Sequence, residues 1–314
     1  MEPLTFEPIF KSMPWGGRRL PGYLGAASPH ADPIGEAWVL SDVEGNLSRV
    51  AAGPHAGRTL RDVIADDPAA IFGDDAPADG RFPLLLKFID ARQELSVQVH
   101  PNDEQAVAHK GPGHRGKTEA WVILDSNPET SRIYAGFNDG VTAGDFRKAM
   151  SLERTHEMLH AFTPKPGDCV FLEAGTVHAI GADILLFEVQ QTSDITYRLH
   201  DWNRVDAGTG RPRELHVEAG LAVVGFDGPC RAVTAADETL VNCRHFTLHR
   251  RTLDGSTTVG QAGQCRVVVV IAGQGIIGDI DATIGSVVLL PAAGGAVACC
   301  GKLEFLECGL GPSA

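Results

Sequence analysis

The sequence predicts a mainly β fold of the sandwich or jelly-roll kind, on three observations. Short runs of branched and aromatic residues recur along the chain. Gly, Pro, Asn and Asp punctuate them, and helical periodicity is sparse. Taken in order, "RTLRDVIADDP" (58–68) predicts a helix ended by Pro68, and "PLLLKFIDA" (83–91) and "LSVQVH" (95–100) predict strands. "NDEQAVAHKG" (102–111) predicts a second helix, capped by Asn102 or Asp103 and stopped by Gly111. "EAWVIL" (119–124) is a strand, and the stretch 142–162 reads as one or two short helices before "TPKPGD". The remaining strands are expected at 168–174, 183–190, 194–199, 266–273, 286–292 and 302–307.

With 314 residues, 43% hydrophobic and 21% charged, the chain can build a core without disulfides or a structural metal. A formal charge of −13 argues against nucleic acid or an anionic membrane as a partner for the whole surface. An anionic small molecule would need a local cluster of Lys and Arg. The seven cysteines are odd in number and include no C-x-x-C pair, which suits reduced thiols in a cytoplasmic protein. "MEPLTFEPIF" has no basic segment followed by an apolar run, and "VVVVIAG" (267–273) is too short to span a bilayer. A monomer or a homodimer fits equally well.

Two segments share a frame, "PGDCVFLEAGTVHAIG" (166–181) and "IGSVVLLPAAGGAVAC" (284–299). Setting Gly167 on Gly285 puts Ala296 where His178 stands, so the second copy would lack the one polar group able to bind metal. Gly-apolar-Gly runs also arise in any β protein, and both readings stay open. The domain boundary is placed at 235/236, giving a catalytic unit over 1–235 and a β-rich unit over 236–314.

"THEMLH" (155–160) carries the spacing H-E-x-x-H, which on a long helix would present two zinc ligands. Pro164 and Pro166 follow at once, and "TPKP" offers no third ligand. An amphipathic helix with Met158, Leu159 and Phe162 inward is the better reading.

A stronger set lies on strands. Gln98 and His100 are two apart, as are Lys117 and Glu119, so each pair shares a strand face. His178 follows at the mouth of a turn in "GTVHAIG". Two imidazoles, a carboxylate and an amide oxygen suit Zn²⁺ or another first-row divalent ion.

Here the chain resembles the type I mannose-6-phosphate isomerases (phosphomannose isomerases), in their short bacterial form. The resemblance rests on "PWGGRRL" (14–20), "GEAWVLSD" (35–42), "FPLLLKFIDARQELSVQVHPND" (82–103), "GKTEAWVIL" (116–124), "GTVHAIG" (175–181) and "LLFEVQQTSDITYRLHDWNR" (185–204). It covers the first two-thirds of the chain. It implies a cupin-type jelly-roll catalytic core with a small helical insertion and a C-terminal degenerate jelly roll. It also implies one Zn²⁺ per chain, held by His100, Glu119 and His178 with Gln98 as an additional ligand. The family's catalytic groups fall on Arg198, Lys117, Glu188 and Asp194, and substrate contacts on Lys87, Trp15 and Ser96.

The implied reaction interconverts mannose 6-phosphate and fructose 6-phosphate through a metal-stabilised cis-enediol(ate). The C2 proton is weakly acidic, so the enediolate oxygen needs electrostatic support. Arg198 offers a fork of donors for enediolate or phosphate. Glu188 lies on the otherwise apolar "LLFEVQ", where burial would raise its pKa and suit it to shuttle protons. Pairing with Arg198 or Lys87 would instead make it structural. Asp194 is expected to orient Arg198 or to move protons between sugar oxygens, and Lys87 and Lys117 to supply positive charge. The rivals are an Fe²⁺-dependent oxygenase on a cupin and a sugar-phosphate-binding protein without catalysis.

Overall fold

The computed structural model describes residues 1–29, 31–205, 210–234 and 238–311, with 233 and 234 by backbone only. The boundary expected at 235/236 lies outside the described residues. Two antiparallel sheets face each other in the first part of the chain. One runs in the order 233–234, Asp168–Leu172, Glu119–Ser126, Ile184–Gln191, Leu84–Ala91, Ile9–Gly17, Ile34–Leu40. The other runs Leu159–Phe162, Ile133–Phe137, His178–Ile180, Val97–Val99, Tyr197–His200.

The long strands of the first sheet are buried on both faces, and strand alternation sorts their side chains. Leu84, Leu86, Phe88, Ala120, Val122, Phe187 and Val189 turn outward into one core cluster. Val267, Val269, Leu289, Leu306 and Phe246 of the last sheet enter the same cluster. The C-terminal strands therefore cover the back of this first sheet. Inward, Ile89, Ala91, Trp121, Ile123 and Leu186 form a second cluster beside the polar residues.

The last sheet has the order Leu4–Thr5, Val287–Leu290, Arg266–Ile277, Val297–Leu310, Phe246–Val259, Thr239–Asn242. Its first member comes from the start of the chain and pairs with Val287–Leu290, so the N-terminal strand belongs to the C-terminal sheet. The shared frame of the two Gly-bearing segments has a structural counterpart. Gly167 and Gly285 both sit at positive φ, 94° and 86°, and both lead into strands. His178 opens the strand after the turn, and Ala296 stands just before Val297–Leu310.

Helices form where local signals are complete. Thr59, Asn102 and Thr142 cap Leu60–Asp66, Asp103–Lys110 and Ala143–Ser151, each with a reciprocal bond from the third residue of the helix. Pro68 ends the first of these and also opens a short helix, Pro68–Phe72. The helical reading of 142–162 holds only to Ser151. Residues Thr155–Met158 make a 3₁₀ turn, and Leu159–Phe162 is a strand paired with Ile133–Phe137. Edge pairing outweighed the helical pattern there, and "THEMLH" straddles the junction. The strand expected at 194–199 starts only at Tyr197, leaving 192–196 as an irregular connection.

The glycines of "PWGG" permit close approach and not an unusual φ. A Cβ on Gly16 would lie 2.5 Å from the Gly35 nitrogen, and one on Gly35 would lie 2.6 Å from the Trp15 ring. Gly35→Ala should therefore lower stability by roughly 1–3 kcal/mol through overpacking, read as a lower urea midpoint. An unchanged midpoint would mean that the Trp15 wall yields freely.

Candidate active site

Cross-strand register builds the site. On the inner face of the first sheet, Trp38, Lys87, Glu188 and Trp121 are successive cross-strand partners. Glu119 stands two residues before Trp121 on the same face. On the opposing sheet, Gln98 pairs with His178 on one side and with Arg198 on the other. The two sheets thus aim a carboxylate and two imidazoles at one point. His178 Nε2 lies 3.3 Å from Glu119 Oε1, and His100 Nε2 lies 3.7 Å from Glu119 Oε2. Among the described residues, His100, Glu119 and His178 are the group able to hold a metal ion, with ligand atoms within 4.8 Å of one another.

The donor chemistry fits a divalent cation. His100 Nδ1 donates to the Ile195 carbonyl at 2.8 Å, and His178 Nδ1 donates to the Thr176 carbonyl at 2.9 Å. Each ring therefore presents the Nε2 lone pair to the centre, oriented by a carbonyl behind it. Burial pulls the His178 pKa down to about 4, with the Lys117 ammonium adding to the effect. His100 is also lowered well below the usual range, by burial and then by Lys117. Both rings are neutral near pH 7, as ligands must be. Glu119 is fully buried, and the Lys117 ammonium is its one ion-pair partner among the described residues apart from the two imidazoles. Its pKa is raised, by burial first, although Lys117 opposes the shift.

Lys117 places its ammonium 2.9 Å from Glu119 Oε2 and 3.1 Å from His100 Nε2. A positive charge already finds these atoms favourable. Gln98 sits 3.2 Å from His178 Nε2 through its amide nitrogen; ligation by Gln98 would use its other atom, Oε1.

Glu188 differs from expectation. Burial alone would raise its pKa, but Lys87 at 3.0 Å, Lys117 at 4.0 Å and the Trp121 indole at 2.8 Å together lower it. It is paired with Lys87 and held ionised, and among the described residues it makes no ion pair with Arg198. Lys87 in turn has its pKa raised: burial would lower it, and the Glu188 and Glu36 carboxylates outweigh that. Asp194 is exposed in the connection before Tyr197 and forms no ion pair with Arg198. Arg198 gives Nη1 to the Glu214 carbonyl at 2.9 Å, while its Nε is buried without a partner.

The site residues expected beyond His100, Glu119 and His178 border one cavity of about 450 Å³, with Trp15, Ser96, Gln98, Lys87, Lys117, Glu188, Asp194 and Arg198 in its wall. The three metal-site residues adjoin it through Gln98 and Lys117. A larger hollow of about 760 Å³ lies on the far side of the 192–197 segment, and none of the three borders it. Sequence reasoning missed several wall residues. Glu36 and Trp38 lie in the quoted "GEAWVLSD", with the Trp38 indole donating to Glu36 at 2.6 Å. Lys11, stacked 4.9 Å from the Trp38 ring, and Arg213 carried no motif signal. His156 and His160 stand apart from the site, His156 packing 5.6 Å from the Trp202 ring.

Residues 4–131 match the family model described as "Phosphomannose isomerase type I, catalytic domain". The chain is 37% identical to mannose-6-phosphate isomerase ManA of Bacillus subtilis, over 87% of each chain. It is 33% identical to the mannose-6-phosphate isomerase of Streptococcus mutans, over 88% of this chain and 87% of that one. The crystal structure of the Bacillus subtilis mannose 6-phosphate isomerase superposes with a TM-score of 0.88 at 27% identity, covering 98% of this chain and 99% of that one.

Glu188→Gln should cost roughly 3 kcal/mol of stability by leaving a buried ammonium short of its partner. Chemical denaturation measures this, and a loss under about 0.5 kcal/mol would show that Glu36 alone satisfies Lys87.

Proposed function

We propose a defined chemistry on an established premise: the chain belongs to the type I phosphomannose isomerase family. Its function is the interconversion of D-mannose 6-phosphate and D-fructose 6-phosphate. The observation that carries the chemistry is the convergence of two Nε2 lone pairs and a buried carboxylate beside a cavity lined with Lys and Arg. Membership of an isomerase family sets aside the oxygenase and the non-catalytic binder.

His100, Glu119 and His178 hold one Zn²⁺, with Gln98 as a further ligand. When bound, the ion supplies Lewis-acid polarisation of a sugar oxygen. The chain's own groups do the rest. Lys117 directs its ammonium at the oxygen that gains charge as the enediolate forms, and Arg198 offers donors further along the sugar. Asp194 takes the proton from C2 and returns it to C1. Its carboxylate faces the cavity without a cation to neutralise it, whereas Glu188 is committed to Lys87. Trp15 and Ser96 border the sugar path, and Lys87 contributes positive charge near Glu36 and Glu188. We place the enzyme in the cytoplasm. All seven cysteines are free thiols, and among the described residues no helix is long and apolar enough to cross a membrane.

Metal analysis of the purified chain, with fructose 6-phosphate formation followed through chelation, tests the reading. Activity should vanish on chelation and return with Zn²⁺, and turnover by metal-free protein would overturn it. His178→Ala should lose the metal. Asp194→Asn should keep metal and stability while kcat falls about 10²- to 10⁴-fold. Full activity in Asp194→Asn would return the proton transfer to another group. Arg198→Ala should keep the metal and lose turnover.

A further inference from the structure

The inner face of the first sheet carries one buried polar group that the chemistry above leaves unused. Gln190 follows Glu188 on the same strand face and is the cross-strand partner of Glu119. It is fully buried. Its Nε2 donates to two carbonyls, those of Gln191 at 2.9 Å and Ser193 at 2.8 Å. Its Oε1 is buried without a hydrogen-bond partner among the described residues. A methionine would fill nearly the same volume and bury no orphan acceptor. The amide therefore does not serve packing, and what it contributes is its two donors.

Those donors act where the chain leaves the sheet. Residues 192–196 connect the strand Ile184–Gln191 to the strand Tyr197–His200. The start of this connection is fastened to the body of the protein. The Thr192 N–H donates to the Pro83 carbonyl at 2.8 Å, and its hydroxyl donates to the Phe82 carbonyl at 2.7 Å. The Ser193 hydroxyl donates to the Arg115 carbonyl at 2.8 Å. Further on, the connection is fastened to the metal group, because the Ile195 carbonyl accepts from His100 Nδ1 at 2.8 Å. Asp194 lies between these two carbonyls, that of Ser193 held by Gln190 and that of Ile195 held by His100. Its exposed side chain borders the cavity, and among the described residues no ion pair holds it. The backbone on either side is what places its carboxylate.

Resting on the isomerase reading, with Asp194 as the group that moves the proton, we propose that Gln190 is a positioning residue for proton transfer. Its amide fixes the Ser193 carbonyl and, together with His100, sets where the Asp194 carboxylate meets the reacting carbons. Gln190 does not border the cavity, so it acts through the connection and not on the substrate. Proton transfer is steep in distance: a misplacement of about 1 Å caused from outside the site costs on the order of 10²-fold in rate.

The test uses metal-loaded full-length enzyme and mannose 6-phosphate carrying hydrogen or deuterium at C2. Steady-state constants, bound metal and the isotope effect on kcat are measured for the wild type, Gln190→Met, Asp194→Asn and the double variant. Gln190→Met should keep its metal and a KM within about threefold, while kcat falls roughly 10- to 100-fold. Its isotope effect should be at least as large as that of the wild type, because the slowed step is C–H cleavage. A role in stability alone would leave kcat of the folded, metal-loaded variant unchanged, and that result overturns the proposal. A smaller isotope effect, or a kcat loss that tracks lost metal, also overturns it. In the Asp194→Asn background Gln190→Met should cost little more, since residues that act as one unit are not additive. A full second loss there overturns the route through Asp194. Gln190→Asn keeps the amide on a shorter arm and should fall between wild type and Gln190→Met; it serves if the methionine variant does not fold. Wild-type protein that does not isomerise the sugar refutes the isomerase reading itself. Wild-type turnover that is indifferent to Gln190 refutes the positioning role alone.

Discussion

The structure depends on one buried charge. Glu119 is a fully buried carboxylate set against two imidazole lone pairs, with the Lys117 ammonium 2.9 Å from its Oε2. A carboxylate in that condition is costly unless a cation sits with it. Glu119 comes from one sheet and His178 from the other, so the cation requirement also fixes how far apart the sheets stand. The jelly-roll closure and the metal centre are therefore a single constraint. The outer face of the catalytic sheet is free to be purely apolar, and the C-terminal sheet covers it.

A second polar layer keeps that arrangement from collapsing. The row Trp38, Lys87, Glu188, Trp121 alternates aromatic rings with an ion pair across four strands. The Trp121 indole donates to Glu188, and the Lys87 ammonium lies 5.3 Å from the Trp38 ring centre. Each charge is compensated within the row, so the row acts as a rigid wall. The burial of Glu188 was readable from "LLFEVQ". Its charge state was not, because the sign of a buried acid's pKa shift depends on partners that only register supplies. Lys87 is 101 residues away in sequence yet stands directly opposite, at the 3.0 Å contact.

Legibility elsewhere followed the same division. Period-two spacing was enough to put Gln98 beside the metal group and Lys117 beside Glu119, and complete capping signals marked three helices. The strand Leu159–Phe162 was hidden because its edge pairing with Ile133–Phe137 is long-range, while its local composition is that of a helix. The strands Leu4–Thr5, Ile9–Gly17 and Ile34–Leu40 were likewise invisible as pattern. Leu4–Thr5 is only two residues long with its partner at Val288–Leu289, and Gly and charged residues interrupt Ile9–Gly17 and Ile34–Leu40. Arg213 shows the limit for sites. Nothing around it in "TGRPRELH" distinguishes it from a solvated arginine until Asp201 is seen to clamp it.

The distribution of charge gives the last step. The chain carries −13 overall, which would repel a sugar phosphate from most of its surface. Around the cavity, five cations, Lys11, Lys87, Lys117, Arg198 and Arg213, face three acids, Glu36, Glu188 and Asp194. Two of those acids adjoin Lys87 and neutralise the middle of the cavity. Lys117 is paired with Glu119 and Arg213 with Asp201, which leaves Lys11 and Arg198 without a carboxylate partner among the described residues, beside low-dielectric walls that focus their charge. An anionic ligand approaching this protein meets attraction only where the cavity opens, so the acidic surface and the basic cavity act together to direct it inward. Binding rate, more than affinity, should carry the salt dependence of such a design.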